Sequence, residues 1–291
     1  MKVIIVGGVA GGASAATRLR RLNEQAEIII FERSGFVSYA NCGLPYFVGD
    51  VITDPEELTL QSPESLFRRF RIDVRVKHEV TQIHPERKAV SVRNLETGEV
   101  IEESYEKLIL SPGAKAIKPS IVGCEDRVFT LRTVEDTLAI HEYVNGHQPK
   151  TAAIVGGGFI GVEVAENLVE RGIPVTLYQR PTHVLPTLDD DMASFVHAEM
   201  AAKGVKLRLG ANVAAISDAG ESIVIADQNE ERAFDMVVLA IGVAPETSLA
   251  VEAGLETGVK GAIVVDEHML TSDPDIYAVG DAVQVKHYVT G

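Results

Sequence analysis

The 291-residue sequence has no tryptophan, only two cysteines, and far fewer basic than acidic side chains. Each shortage removes a class of protein. Two cysteines, Cys42 and Cys124, cannot frame a disulfide-stapled secreted fold, so a reducing setting, the cytoplasm, is expected. The 27 Lys and Arg against 42 Asp and Glu leave a formal net charge of −15. That balance excludes broad nucleic-acid binding by phosphate neutralisation, while a small anion on a local basic patch stays open. No run reaches the roughly 18 apolar residues of a membrane helix. The apolar start, Met1–Val6, leads straight into glycines and is too short for a signal peptide, so no membrane partner is expected. The eight histidines show no metal-ligand spacing, and the acidic run at 188–192 has no His or Cys ligand pattern beside it; no metal is expected. His78 and His84 read as surface or loop residues.

What remains is ordinary globular composition, 46% apolar and 24% charged, on a chain long enough for two domains at about 150 residues each. An internal repeat gives those domains a form. Residues 3–33 and 152–180 each read as a buried apolar strand, a glycine cluster, an amphipathic helix and a second apolar strand. The offset is 149 residues, from Gly7 to Gly156 and from Gly12 to Gly161. In such a unit the first glycine allows the tight turn and the last lets the helix pack close to the strand. The free N–H groups of the helix then face a pyrophosphate. The second copy carries Gly156, Gly158 and Gly161, a full match; the first carries Gly7 and Gly12 with Val9 at the middle position. One copy alone could be a mere tight turn. Two in matching strand–turn–helix context point to two dinucleotides.

The ends of the second strands differ. Glu32, 20 residues after Gly12, can accept hydrogen bonds from a ribose diol. The second copy has Gln179 and then Arg180; neither repels a 2′-phosphate, which leans toward NADPH or dual use, with a merely solvated Arg180 as the equal alternative. Cys42 follows in SYANCGLPYFVG, residues 38–49. Asn41 reads as an N-cap and Pro45 as a first-turn residue, so the thiolate gains from a helix start. A small buried hydrophobe is the alternative role, but the position after the ribose-binding acid favours redox chemistry. No second cysteine lies three to five residues on, and Cys124 in its loop reads as structural. Cys42 must therefore pair with sulfur outside the chain or become a sulfenic acid or persulfide. Ser14, Arg18 and Arg21 share one helical face with Arg20 adjoining, and Arg68, Arg69 and Arg71 follow a helix expected at 63–70. Such clusters suit phosphate charges, unless they are only a solvated face. The segment 78–107 reads as short strands with a hairpin at 96–99.

Together with LILSPGA at 108–114, VVLAIGVAPET at 237–247 and TSDPDIYAVGD at 271–281, the paired turns and SYANCGLPY carry a family likeness. The chain resembles the flavin-dependent pyridine nucleotide–disulfide oxidoreductases. Within them it is similar to the single-cysteine branch of coenzyme A disulfide reductases, NADH oxidases and peroxidases, and NADH-dependent persulfide reductases. The resemblance implies an α/β protein of two Rossmann-like FAD/NAD(P)-binding domains, the second inserted into the first. FAD would take residues 1–117 and 245–291, and NADH or NADPH residues 118–244. It implies that FAD is held by Gly7, Val9, Ala10, Gly12, Glu32 and Arg33, with Asn41, Val80, Ser111, Pro112, Gly113, Arg132 and Asp281. NAD(P)H is held by Gly156, Gly158, Ile160 and Gly161, with Glu163, Gln179, Arg180 and Gly242. Coenzyme A meets Ser14, Arg18, Arg21, Ser38, Asn41 and Arg71. Electrons pass from NAD(P)H through FAD to a mixed disulfide on Cys42, the catalytic residue.

Three departures from the family stand out. Ala10 replaces a histidine of the oxidases and peroxidases, which favours a thiol substrate. Glu246 stands where Asn is usual. The chain also ends where the family continues into a C-terminal dimerisation domain, so the full-length form is expected to be a homodimer and this chain a monomer. Coenzyme A disulfide reduction is the expected activity. Persulfide or polysulfide reduction, NADH oxidation, and a non-catalytic flavin-binding redox sensor are the alternatives.

Overall fold

The computed structural model describes all residues except 124, 125, 288, 290 and 291; Cys124, expected to be structural, lies outside the described residues. Seven α-helices occur among the described residues: α1 (Ala10–Leu22), α2 (Leu44–Val48), α3 (Pro63–Phe70), α4 (Val134–His147), α5 (Phe159–Glu170), α6 (Asp190–Ala202) and α7 (Ser248–Glu252). None of these helices is long and apolar enough to cross a membrane. The chain divides into two compact units. One comprises Met1–Tyr39, Thr59–Lys115 and Ala244–Gly291, the other Ala40–Leu58 and Ala116–Val243.

The first unit is built on a five-stranded sheet ordered Ile276–Ala278, Lys107–Leu110, Lys2–Val6, Glu27–Glu32 and Asp73–Val76. All four pairings are parallel. Its strands are continuous apolar runs because a parallel sheet is covered on both faces. Lys2–Val6 is paired to the next strand in sequence on one side and, on the other, to a strand that arrives about a hundred residues later. That reversal is a topological switch point, and the crevice beyond the carboxyl ends of those strands is where such sheets bind ligands. A three-stranded antiparallel sheet of His78–His84, Ala89–Asn94 and Val100–Ser104 belongs to the same unit. His78 and His84, expected at the surface or in a loop, end the first of these strands and are half-buried. They hydrogen-bond Val76 O and Ser91 Oγ, respectively.

The second unit repeats the plan. Its sheet runs Lys206–Leu209, Val175–Gln179, Ala152–Val155, Met236–Leu239 and Val128–Thr130, again all parallel. Here too the strand before the glycine turn is central and marks the switch point. A three-stranded antiparallel sheet (Val213–Asp218, Ile223–Asp227, Glu231–Phe234) accompanies it.

One core position of the first unit carries a cost. Tyr105 is 4% exposed among Val90, Leu108 and Ile276, and its hydroxyl has no hydrogen-bond partner among the described residues. An unpaired buried hydroxyl costs about 1–3 kcal/mol. Tyr105→Phe is expected to raise stability by about 1 kcal/mol, read by thermal unfolding. Burial also pushes the phenol up to about 12 from 10.0. The folded state then keeps its proton while the unfolded chain loses it, so stability falls as pH rises from 10.0 to about 12. The Phe variant should lose this part of the alkaline sensitivity.

Candidate functional site

In the first unit, Gly7 closes the turn with φ +95° and its N–H donates to Phe31 O at 2.9 Å. A Cβ on Gly7 would lie 2.1 Å from Ser111 O, and one on Gly12 would lie 1.9 Å from Gly7 O. These two glycines let α1 start directly against the switch point. Glu32 is buried; its Oε2 accepts the Gly8 N–H at 2.7 Å and its Oε1 the Ser34 N–H at 2.8 Å. Ser38, with φ +52°, donates its N–H to Gly8 O at 2.9 Å. Ser111 donates its N–H to Val6 O at 2.8 Å, and Gly280 approaches the Ser111 hydroxyl. Thus Gly7, Gly12, Glu32, Ser38, Ser111 and the Gly280–Asp281 turn gather at one end of the sheet. Arg33 is exposed. Val80 is 5% exposed, with its side chain in the apolar core.

The second turn is nearly a copy. Gly156 has φ +111° and donates its N–H to Tyr178 O at 2.8 Å. A Cβ on Gly156 would meet Ala240 O at 2.3 Å, and one on Gly161 would meet Gly156 O at 2.0 Å. Gln179 takes the place of Glu32: its Oε1 accepts the Gly157 N–H at 2.8 Å while its Nε2 donates to His183 O at 3.1 Å. The turn therefore keeps its hydrogen bond with no negative charge. Arg180 is exposed beside it. Gly158 differs from its neighbours, because nothing lies within 4 Å of where its Cβ would be. The chain's own packing does not require that glycine, so the open space fits the close approach of a dinucleotide.

Cys42 is exposed and belongs to the second unit. The expected helix start is shorter than the sequence implied. Asn41–Gly43 forms a 3₁₀ turn, Asn41 makes no side-chain cap, and α2 begins only at Leu44. A five-residue helix carries little dipole, so activation of the thiol by a helix N-terminus is not supported. Instead Cys42 lines a cleft of about 190 Å³ with Asn41 and Pro45, Leu131 and Arg132 before α4, and Ile160 and Glu163 on α5. Glu163 is half-buried; burial, and then the charge of Glu166, push its carboxyl above the usual range. The charge of Glu163 in turn raises the Tyr46 phenol, ahead of burial.

The cysteine segment is clasped from its far end by residues that no sequence motif pointed to. Asp50 pairs with His141 on α4 at 2.7 Å and with Arg171 at 3.2 Å. Arg171 also donates to Val48 O at 3.1 Å, capping the carbonyl end of α2. The Phe47 and His141 rings lie 4.7 Å apart. Gly49 admits the side chain of Asn167, whose Oδ1 would lie 2.0 Å from a Cβ there. Only the glycine at 49 could have hinted at this contact.

Arg18, Arg21 and Arg71 are exposed, and their guanidiniums make no hydrogen bond or ion pair among the described residues; Ser14 is exposed on the same helix. Arg20 is not part of that free face. It donates to Phe70 O at 2.7 Å and Arg71 O at 2.9 Å, closing the C-terminal end of α3. Asp189–Asp191 begin α6, and the described residues hold no cluster of His, Cys, Asp and Glu suited to a metal.

Comparison with known proteins fits this geometry. The family model "Pyridine nucleotide-disulphide oxidoreductase" matches residues 1–290. The Coenzyme A disulfide reductase of Staphylococcus aureus (strain JH9) is 38% identical over 288 residues, covering 99% of this chain and 64% of its own length. The reduced CoADR-RHD of Bacillus anthracis is 49% identical with a TM-score of 0.96, over 99% of this chain and 52% of that one. A NAD-dependent persulfide reductase from A. fulgidus is 35% identical with a TM-score of 0.93, over 97% of this chain and 53% of that one. The chain thus spans less than two thirds of the relatives it matches. With the family match running over nearly its whole length and paired Rossmann-type folds in the structure, the chain belongs to the pyridine nucleotide–disulphide oxidoreductases.

Proposed function

We propose that this chain is the cofactor-binding and cysteine-bearing part of an NAD(P)H-dependent coenzyme A disulfide reductase, with Cys42 as the sulfur that cleaves the substrate. The observation that carries the reading is the cleft that holds Cys42 with Arg132 and Glu163 on the unit bearing the complete glycine turn. Gly7, Gly12, Glu32, Ser111 and Asp281 would hold FAD. Gly156, Gly158, Gly161 and Gln179 would hold NAD(P)H. A bound flavin supplies the two-electron relay between the nicotinamide and sulfur. Gln179 keeps the turn closed without a carboxylate, and Arg180 stands free for a 2′-phosphate, which supports use of NADPH. Ser14, Arg18, Arg21 and Arg71 form the basic face that would take the phosphates of coenzyme A, since unpaired guanidiniums on a strongly acidic chain suit a polyanion. The chemistry belongs in a thiol-reducing compartment such as the cytoplasm. Likeness to the persulfide reductase keeps sulfane sulfur as the second substrate class.

Intact mass before and after a thiol reductant, with the adduct mapped, tests the assignment. A coenzyme A-sized adduct on Cys42, lost on reduction, is the expected result. Added sulfur atoms would move the substrate to persulfides. Bound flavin with neither adduct nor NAD(P)H turnover would reduce the chain to a redox-sensing module.

A further inference from the structure

The internal repeat runs further than its glycine turns. In the first unit the Ser38 N–H reaches Gly8 O from a left-handed backbone (φ +52°), and the buried Val37 lies against Gly8. In the second unit the Leu185 N–H donates to Gly157 O at 2.7 Å from the same conformation (φ +50°), and the buried Val184 lies against Gly157. Left-handed backbone is costly for residues other than glycine, so it persists only where the surroundings hold it. In the second unit a side chain does the holding. The Val184 N–H donates at 3.1 Å to Nε2 of His197, a half-buried residue of α6. A backbone N–H only donates, so Nε2 accepts and the ring proton sits on Nδ1. Gln179 meanwhile takes the Gly157 N–H on Oε1 and donates from Nε2 to His183 O. Both polar groups of the Gly157 backbone are thus fixed by the segment that His197 holds and by Gln179. His183 also meets α6, at Asp190 (3.4 Å), but that carboxylate is exposed and such a pair is worth little.

We propose that His197 is a positioning residue for the dinucleotide. It holds Val184 and Leu185 against the second glycine turn, and so keeps the Gly157–Gly158 backbone in the shape that receives a pyrophosphate. The proposal rests on the reading of that turn as the NAD(P)H site. In this role His197 acts through the loop and not on the ligand. A turn that spends less time in the receiving shape binds more weakly by that fraction, even with every ligand contact intact. His197 follows Gln179 by 18 residues and lies outside both the glycine fingerprint and the strand end that such sites use for recognition.

Two substitutions separate this role from one in stability. His197→Leu keeps a good helix former and removes the acceptor, whereas His197→Gln keeps an acceptor oxygen at similar reach. The full chain is titrated by calorimetry with NADP⁺ and with NAD⁺, and whichever binds wild type more tightly is used for the variants. Thermal unfolding without ligand establishes that each variant is folded at the titration temperature. His197→Leu is expected to raise the dissociation constant about fivefold or more, and His197→Gln less than about twofold. A folded His197→Leu that binds as wild type does, with only its melting temperature lowered, overturns the proposal and leaves the second turn as the dinucleotide site. Equal weakening by Leu and Gln overturns it as well. His197→Ala removes the same acceptor and replaces the Leu variant if that one does not fold; if neither folds, His197 serves packing and the proposal falls. A wild-type chain that binds neither dinucleotide removes the underlying reading and the proposal with it.

Discussion

Cys42→Ser is expected to lower disulfide cleavage by at least about a thousandfold, because a serine hydroxyl is not ionised near neutral pH and cannot form a mixed disulfide. The loss should appear in two readouts. NAD(P)H oxidation driven by coenzyme A disulfide should cease, and no adduct should form on the chain when it is mixed with a small disulfide. Cofactor binding should survive, since the residues around both glycine turns are untouched. Stability should change by less than about 0.5 kcal/mol, because the side chain is exposed and the cleft needs no packing from it. A serine variant that cleaves disulfides at the wild-type rate would move the chemistry away from position 42.

The glycine turns should give the largest effects on stability, and they should do so selectively. A Cβ at Gly12 would lie 1.9 Å from Gly7 O, and one at Gly161 2.0 Å from Gly156 O. The obstacle in each case is backbone of the same turn, so no side chain can move aside. Gly12→Ala and Gly161→Ala are each expected to cost about 3 kcal/mol or more. The melting transition should fall by about 6–12 °C for a domain of this size. Gly158→Ala is the contrasting variant, because the space around its absent Cβ is open. Its unfolding temperature should stay within about 2 °C of wild type, while the KM for NAD(P)H rises about fivefold as the methyl enters the space left for the pyrophosphate. If Gly158→Ala destabilised the fold as much as Gly161→Ala, that glycine would serve packing and not a ligand.

Much of the fold was legible in the sequence because it is set by short-range constraints. The two glycine clusters, the continuous apolar strands before and after them, the helix at 63–70 and the hairpin at 96–99 depend on residues within a few turns of one another. Each appears where the local chemistry demands it. The parallel sheets follow from strands that are apolar on both faces. The likeness between Gln179 and Glu32 was visible only as a difference of charge. It took the second sheet to show that both side chains close the same turn through one backbone N–H.

The surroundings of the cysteine were not legible, because they join positions about 90 to 130 residues apart. Nothing local to SYANCGLPYFVG announces Arg132, Glu163, His141 or Arg171. Asn41 looked like a cap, but the segment first closes a 3₁₀ turn. The helix that follows has Pro45 in its first turn, which has no N–H to offer a cap. The sequence by itself determined two dinucleotide-type βαβ units and a cysteine with no second cysteine near it in the chain, since period, glycine spacing and residue chemistry are carried by neighbours in the chain. Tertiary structure alone decided that the cysteine segment packs with the second unit, that Asp50 and Arg171 clasp its end, and that Arg132 and Glu163 line the same cleft as Cys42. Those facts depend on which distant side chains packing brings within a few ångströms.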